Sequence, residues 1–138
     1  YAEKVSTRVR AYTGANVGTT APAYMRLAES HHQVRAAYAT LSADWAAFTA
    51  KARSRVLPTP DEDVYWRTDQ AYVTRLAIAA VDRLYTASGG SAWFQHNEMQ
   101  RLWRDSKMTG AHTYSDYDIA AQTLGRSLLG LPRDAAGF

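Results

Sequence analysis

Apolar side chains along this chain recur at steps of three and four, and prolines and glycines cut the pattern into segments. The longest segment carries Tyr24, Leu27, His31, Val34, Tyr38, Leu41, Trp45, Phe48 and Ala52 at alternating steps of three and four, without a miss. That spacing is one face of a helix in a bundle or coiled coil, so it predicts a helix over 22–56 with this seam turned to the core. At 1.5 Å per residue such a helix spans roughly 50 Å, which favours an elongated bundle.

The other segments read the same way. Val5, Val9 and Tyr12 share a face, and Gly14 sits where a helix-ending residue is wanted, so the first helix is expected over 1–13. A third covers 60–87 and is well signed at its start: Thr59 as N-cap, Pro60 at the first helical position, Glu62 completing a capping box. It carries two overlapping stripes, Tyr65, Tyr72, Leu76, Ala79 and Trp66, Val73, Ala77, Ala80, Leu84, a face wide enough for more than one neighbour. A shorter helix fits 97–107, with Asn97 as N-cap and Met99, Leu102 and Trp103 inward. The last fits 115–129, with Tyr117, Ala121, Leu124 and Leu128 as its seam, closed by Gly130. The stretch after Leu131 reads as a loosely ordered tail. No run alternates as a strand does. The fold class expected is all-α: an up-down helical bundle over 1–138, two long helices and two to three shorter ones.

Composition narrows the function. The 138 residues include no cysteine, which excludes disulfides, cysteine zinc sites and a cysteine nucleophile. No apolar run approaches the ~20 residues of a membrane span. The net charge of +3 permits a phosphate-bearing ligand but is too weak to indicate nucleic acid. Tyr1 follows no initiator methionine and heads no leader, so the start is expected to be internal to a longer chain.

Few residues stand out chemically. His31 lies in the long seam, where a hydrogen-bonded interface histidine is the ordinary expectation; His32 points off it into solvent. No His-x-x-x-His or Glu-x-x-His motif occurs, so no helix-borne metal site is expected. His112 sits in a small-residue loop, 107–113, where an imidazole can hydrogen-bond a ligand or carry a proton; a plain surface histidine fits as well. Gly89 and Gly90 follow a helix end, serving as a cap and hinge or letting backbone approach a phosphate. In 101–107 three cations surround Trp103. Arg101 and Asp105 have pairing spacing, and Arg104 or Asp105 could instead be buried at a junction that fixes the His112 loop.

Taken in order, Gly89-Gly90, Trp93-Phe94, the run Met99 to Lys107 (Met-Gln-Arg-Leu-Trp-Arg-Asp-Ser-Lys), Ala111-His112-Thr113 and a last helix ending Gly-Arg-Ser-Leu-Leu-Gly-Leu resemble the C-terminal helical domain of the acyl-CoA dehydrogenase fold. More narrowly they resemble its flavin-dependent monooxygenase branch, which includes oxygenases of 4-hydroxyphenylacetate and secosteroid phenols. The resemblance spans five helices and is distinctive from Gly89 to Leu131. Many dehydrogenases of this fold keep a catalytic glutamate before Gly-Thr in the corresponding loop. Here that stretch reads Gly110-Ala111-His112-Thr113, without a carboxylate.

The resemblance implies that His112 is catalytic, facing flavin and substrate, with Thr113 beside it. It implies cofactor contacts at Gly89, Gly90 and Thr113, and at Arg8 toward a neighbouring subunit's flavin. Trp93 and Phe94 then line the substrate pocket, and Trp103, Arg104 and Asp105 support the site. The cofactor implied is reduced flavin, FMN or FAD, with no metal. The partners implied are a small aromatic substrate, a flavin reductase and further copies in a tetramer, with neither nucleic acid nor membrane; the location implied is cytoplasmic. The fold's N-terminal helical domain and middle β-barrel have no counterpart in these residues. Two other readings are an acyl-CoA dehydrogenase-like domain and a non-catalytic helical oligomerisation module; the stretch 89–113 argues against the module, which has no need of it.

Overall fold

The structure is a computed structural model, and it describes residues 1–10 and 13–132. Tyr12 and the tail after Pro132 lie outside the described residues. Five α-helices follow in order: α1 (Ala2–Thr7), α2 (Ala21–Ser54), α3 (Pro60–Ala87), α4 (Glu98–Gly110) and α5 (Tyr117–Leu128), with short 3-10 turns at Val17–Thr19, Gly90–Trp93 and Thr113–Ser115. Among the described residues there is no strand, only one isolated antiparallel bridge between Val9 and Asn16.

Helix α3 is the hub. Its start is the expected capping box: Thr59 Oγ1 accepts from the Glu62 N–H at 3.3 Å, and Glu62 Oε2 accepts from the Thr59 N–H at 2.7 Å. Lys51, near the end of α2, pairs with the same carboxylate at 2.8 Å and closes the α2–α3 hairpin. Helices α4 and α5 both run antiparallel to α3. Trp103 and Lys107 of α4 meet Asp82, and Gly110 seats against Ile78. In α5 Tyr117 packs on Tyr72, and the Ala120 carbonyl accepts from Thr68. The two shorter helices thus form one interrupted rod along α3, broken opposite its middle. The break is 111–116, and it carries His112.

Two expectations are corrected. The first helix stops at Thr7 rather than continuing to residue 13. Arg8 is extended, the Arg10 N–H donates to the Ala15 carbonyl, and Gly14 turns the chain with φ +65°. Asn16 drives this: its side chain caps the Val17–Thr19 turn and donates to the Ser6 carbonyl, and Gly18 lies so close to the backbone at Val5 and Ser6 that a Cβ there would meet the Val5 carbonyl at 2.7 Å. The second correction concerns α2. Its face toward α3 is the column Ala23, Ser30 and Ala37, one residue before the large-residue seam, and these three are buried. Small side chains let the helices approach closely, and Arg83 fastens them by donating to Ser30 Oγ, Gln33 Oε1 and Glu29 Oε1. The seam itself is largely exposed, Tyr38 to 75% and Trp45 to 70%, and His31 is exposed with it.

The remaining boundaries move by a turn or less. Helix α4 runs on to Gly110, and α5 starts at Tyr117, where Asp116 Oδ1 accepts from the Asp118 and Ile119 N–H groups as N-cap.

Candidate functional site

The break between α4 and α5 is held open by its own hydrogen bonds. His112 caps the Thr113–Ser115 turn: its Nδ1 accepts from the Tyr114 N–H at 3.2 Å, and its carbonyl accepts from Ser115 at 2.7 Å. With Nδ1 as the acceptor, this bond favours the tautomer that carries its proton on Nε2. The His112 ring stacks on Tyr114 with centroids 5.7 Å apart. From α3, Arg67 donates to the Tyr114 carbonyl and, at 3.0 Å, to the Thr113 carbonyl, while its guanidinium lies 4.6 Å from the centre of the Tyr114 ring. About two turns further along α3, Arg75 sits over the ring of Tyr117 at 4.9 Å.

Around this loop runs an open groove of about 790 Å³. Its walls are Thr74, Arg75 and Ile78 of α3, the segment 110–113, and the first turn of α5. A smaller, mostly apolar hollow of about 220 Å³ shares Thr74 and Ile78 with it and extends toward Leu41 of α2. The groove therefore offers an imidazole and a guanidinium among mixed polar and apolar walls, with the carboxylates of Asp116 and Asp118 also lining it. The imidazole and the guanidinium can hydrogen-bond an oxygen of a ligand whose remainder lies on the apolar part of the wall.

Of the residues singled out from sequence, His112 and Thr113 are in this groove; the others are not. Arg8, Gly89, Gly90, Trp93 and Phe94 gather at the C-terminal end of α3, separated from His112 by the length of α4, roughly 20 Å for its turns at 1.5 Å per residue. There Arg8 Nη1 donates to the Ser88 carbonyl at 2.6 Å and the Ala87 carbonyl at 3.3 Å, placing a cation on the negative end of α3. Gly89 has φ +73° and ψ −170°, and a Cβ on it would meet Arg8 Nη2 at 2.2 Å. Both the backbone angle and the guanidinium require glycine there. Gly90 borders open space. Trp93 and Phe94 are mostly exposed, at 64% and 60%.

Trp103 faces inward as expected. It stacks on the buried Tyr85 with centroids 4.7 Å apart, lies near Trp93, and donates Nε1–H to Asp82 at 2.6 Å. Within this chain Arg104 and Asp105 are exposed on α4, and Arg101 pairs with Glu98 rather than Asp105. Sequence reasoning missed Arg67, Arg75 and Tyr114. The usable signal was register: positions 67, 74, 75 and 78 share the side of α3 that the broken rod covers.

Among the described residues no group of three or more histidine, aspartate or glutamate side chains is placed to hold a metal ion, and no helix is long and apolar enough to cross a membrane.

Comparison with known proteins gives the family. Residues 1–117 match the family described as acyl-CoA dehydrogenase, C-terminal domain. The oxygenase component of p-hydroxyphenylacetate 3-hydroxylase from Acinetobacter baumannii is 49% identical over 134 residues, which are 97% of this chain and 32% of that protein. The oxygenase component of an FADH2-dependent resorcinol hydroxylase from Rhizobium sp. is 30% identical over 78% of this chain and 27% of that protein. The crystal structure of the HsaA monooxygenase from Mycobacterium tuberculosis superposes with a TM-score of 0.83 at 28% identity, covering 99% of this chain and 34% of that one. A 3-HSA hydroxylase from Rhodococcus sp. RHA1 gives 0.82 at 27% identity, covering 93% and 33%. The chain spans about a third of the length of the relatives it matches. With the interrupted rod, the hub helix and the match over residues 1–117 in agreement, this chain belongs to the acyl-CoA dehydrogenase C-terminal domain family.

Proposed function

We propose that this chain is the C-terminal domain of the oxygenase component of a two-component flavin-dependent monooxygenase, which hydroxylates a small phenolic substrate. The observation that carries the reading is the His112 loop. An imidazole whose Nδ1 accepts from the Tyr114 N–H, leaving Nε2 as the nitrogen that can donate, is held in a groove that contains no loop glutamate. The 49% identity to a p-hydroxyphenylacetate hydroxylase component supports the same reading.

Reduced flavin, when bound, supplies the two electrons with which dioxygen delivers one oxygen atom to the substrate. The residues present fit such a group: the groove wall combines apolar surface with His112 and Arg75, and the far end of α3 carries Arg8 beside glycine. The work of this chain is then to bind, orient and exclude water. His112 Nε2–H donates to an oxygen on the substrate or the cofactor edge and holds a proton for the developing negative charge. Thr113 forms the wall next to it. Arg8, Gly89 and Gly90 meet the phosphate-bearing part of a neighbouring subunit's flavin, and Trp93 and Phe94 offer aromatic surface to that subunit's pocket. Trp103 supports this end through Tyr85 and Asp82, and Arg104 and Asp105 support it from the outer face of α4, exposed within this chain. FMN and FAD share the features this domain would touch. A separate reductase supplies the reduced flavin, and the reading carries a cytoplasmic location with it.

Assembly follows from α2. Its exposed Tyr24, Leu27, Val34, Tyr38, Leu41, Trp45 and Phe48 present roughly 700–800 Å² per copy, counting 150–250 Å² for a whole aromatic side chain. Two such faces together reach the size of a standard stable interface. Their heptad spacing fits a second α2, and within the tetramer this face packs on another copy.

Full-length protein given reduced flavin, dioxygen and a panel of phenols is expected to form a hydroxylated product bearing one atom from labelled dioxygen. Oxidation of acyl thioesters in place of phenol hydroxylation contradicts the proposal.

A further inference from the structure

We infer that Arg67 is the positioning residue of His112, acting through a single peptide plane. The inference rests on the reading of His112 as the proton-holding group of the site. The Thr113 carbonyl and the Tyr114 N–H belong to the same rigid peptide unit and point to opposite sides of it. Arg67 Nη2 donates to that carbonyl at 3.0 Å, and that N–H donates to His112 Nδ1 at 3.2 Å. Fixing one edge of the plane fixes the other. A charged donor on the carbonyl also polarises the amide and strengthens the bond its N–H makes.

The second Arg67 nitrogen holds the Tyr114 carbonyl, and the guanidinium lies against the Tyr114 ring on which His112 stacks. Two adjacent carbonyls and one ring are thereby tied to α3, the most contacted helix of the fold. His112 itself is exposed, in a turn of three residues. The Asp116 N–H also donates to the Thr113 carbonyl, at 3.2 Å, but among the described residues Arg67 is the side chain that reaches this carbonyl from another helix. Lysine cannot replace the fork, because a point ammonium does not hold two carbonyls in a fixed plane.

The test uses the full-length protein with reduced flavin and its phenol, comparing wild type, Arg67→Gln, Arg67→Lys, His112→Ala and Arg67→Gln/His112→Ala. The readouts are product formed per oxygen consumed, kcat and KM, with thermal melts to confirm folding. Arg67→Gln is expected to lower coupling and kcat by about tenfold with KM unchanged, since a misplacement of about 1 Å can change a rate by up to 10²-fold. Arg67→Lys, which keeps charge and stem, should fall between, and serves if the glutamine variant does not fold. In the His112→Ala background the Arg67 change should add nothing, because both act on one group. Losses that multiply in the double variant overturn the inference, as does wild-type coupling in Arg67→Gln and Arg67→Lys while His112→Ala is impaired. Wild-type behaviour of His112→Ala instead removes the underlying reading of the site, and the inference with it.

Discussion

A few single residues fix whether this domain can hold its shape, and two of them are carboxylates in an awkward place. Asp44 on α2 has a buried Oδ2 without a hydrogen-bond partner, and its carboxyl is pushed up first by burial and then by the charge of Asp69. Burial also raises Asp69. A carboxylate with a raised folded-state pKa weakens the fold once it ionises, and the loss is relieved as pH falls through that value. Asp44→Asn should therefore stabilise the fold at pH 7 by about 1 kcal/mol or less, seen as a higher melting temperature, with the gain shrinking toward pH 4. A melting series across pH checks this; an equal or growing gain at low pH contradicts it. Gly89 is the opposite case. Alanine there must adopt φ +73° and displace the Arg8 guanidinium, so Gly89→Ala should lower stability by about 1–3 kcal/mol in chemical denaturation. This Gly-Gly pair was conspicuous in the sequence, but its neighbour was not. Arg8 reaches it only because the first helix stops at Thr7, and that stop depends on Asn16 and Gly18 folding back, a contact no helical periodicity encodes.

Helix starts were the most legible elements. Thr59, Asn97 and the α3 span were readable because capping is local chemistry, written within four residues. Thr59→Ala should destabilise the domain by about 0.5–2 kcal/mol, measured by thermal or chemical unfolding. Glu62 sharpens the point: its bond to Lys51, and next the Thr59 N–H, lower its pKa to about 2. Its contribution to stability is complete above the ordinary carboxylate range and is lost as pH falls toward 2. Glu62→Gln should thus be less stable than wild type at pH 7 and indistinguishable from it near pH 2. The orientation of α2 was not legible. A seam of large residues reads as core, yet closeness of approach selected Ala23, Ser30 and Ala37 for α3. Size and periodicity identify a face that wants covering; they do not say whether the cover comes from the same chain. Trp45→Glu together with Tyr38→Glu in the full-length protein should reduce the assembled mass in sedimentation without unfolding the domain, and an unchanged mass contradicts the proposed packing of α2.

At the scale of the whole molecule, two partial sites lie at the ends of α4, and neither is complete within the chain. The His112 groove holds a positioned imidazole and an arginine. The Arg8–Gly89 end holds a capped helix terminus and exposed aromatic rings. Under the proposed function both ends would meet the rest of a longer protein; the chain spans about a third of the length of its relatives. The residues that build the groove come from 74–78 and 110–119, so sequence order showed His112 but not the α3 arginines that face it. The central claim is that His112 governs the fate of oxygen at the site. The most direct measurement is product formed per dioxygen consumed by the full-length protein and its His112→Ala variant, each given reduced flavin and the same phenol. The account predicts that the variant still consumes oxygen but forms hydroxylated product with a yield lower by about 10²-fold, the scale of a lost general acid–base group; wild-type turnover and coupling in the variant would contradict it.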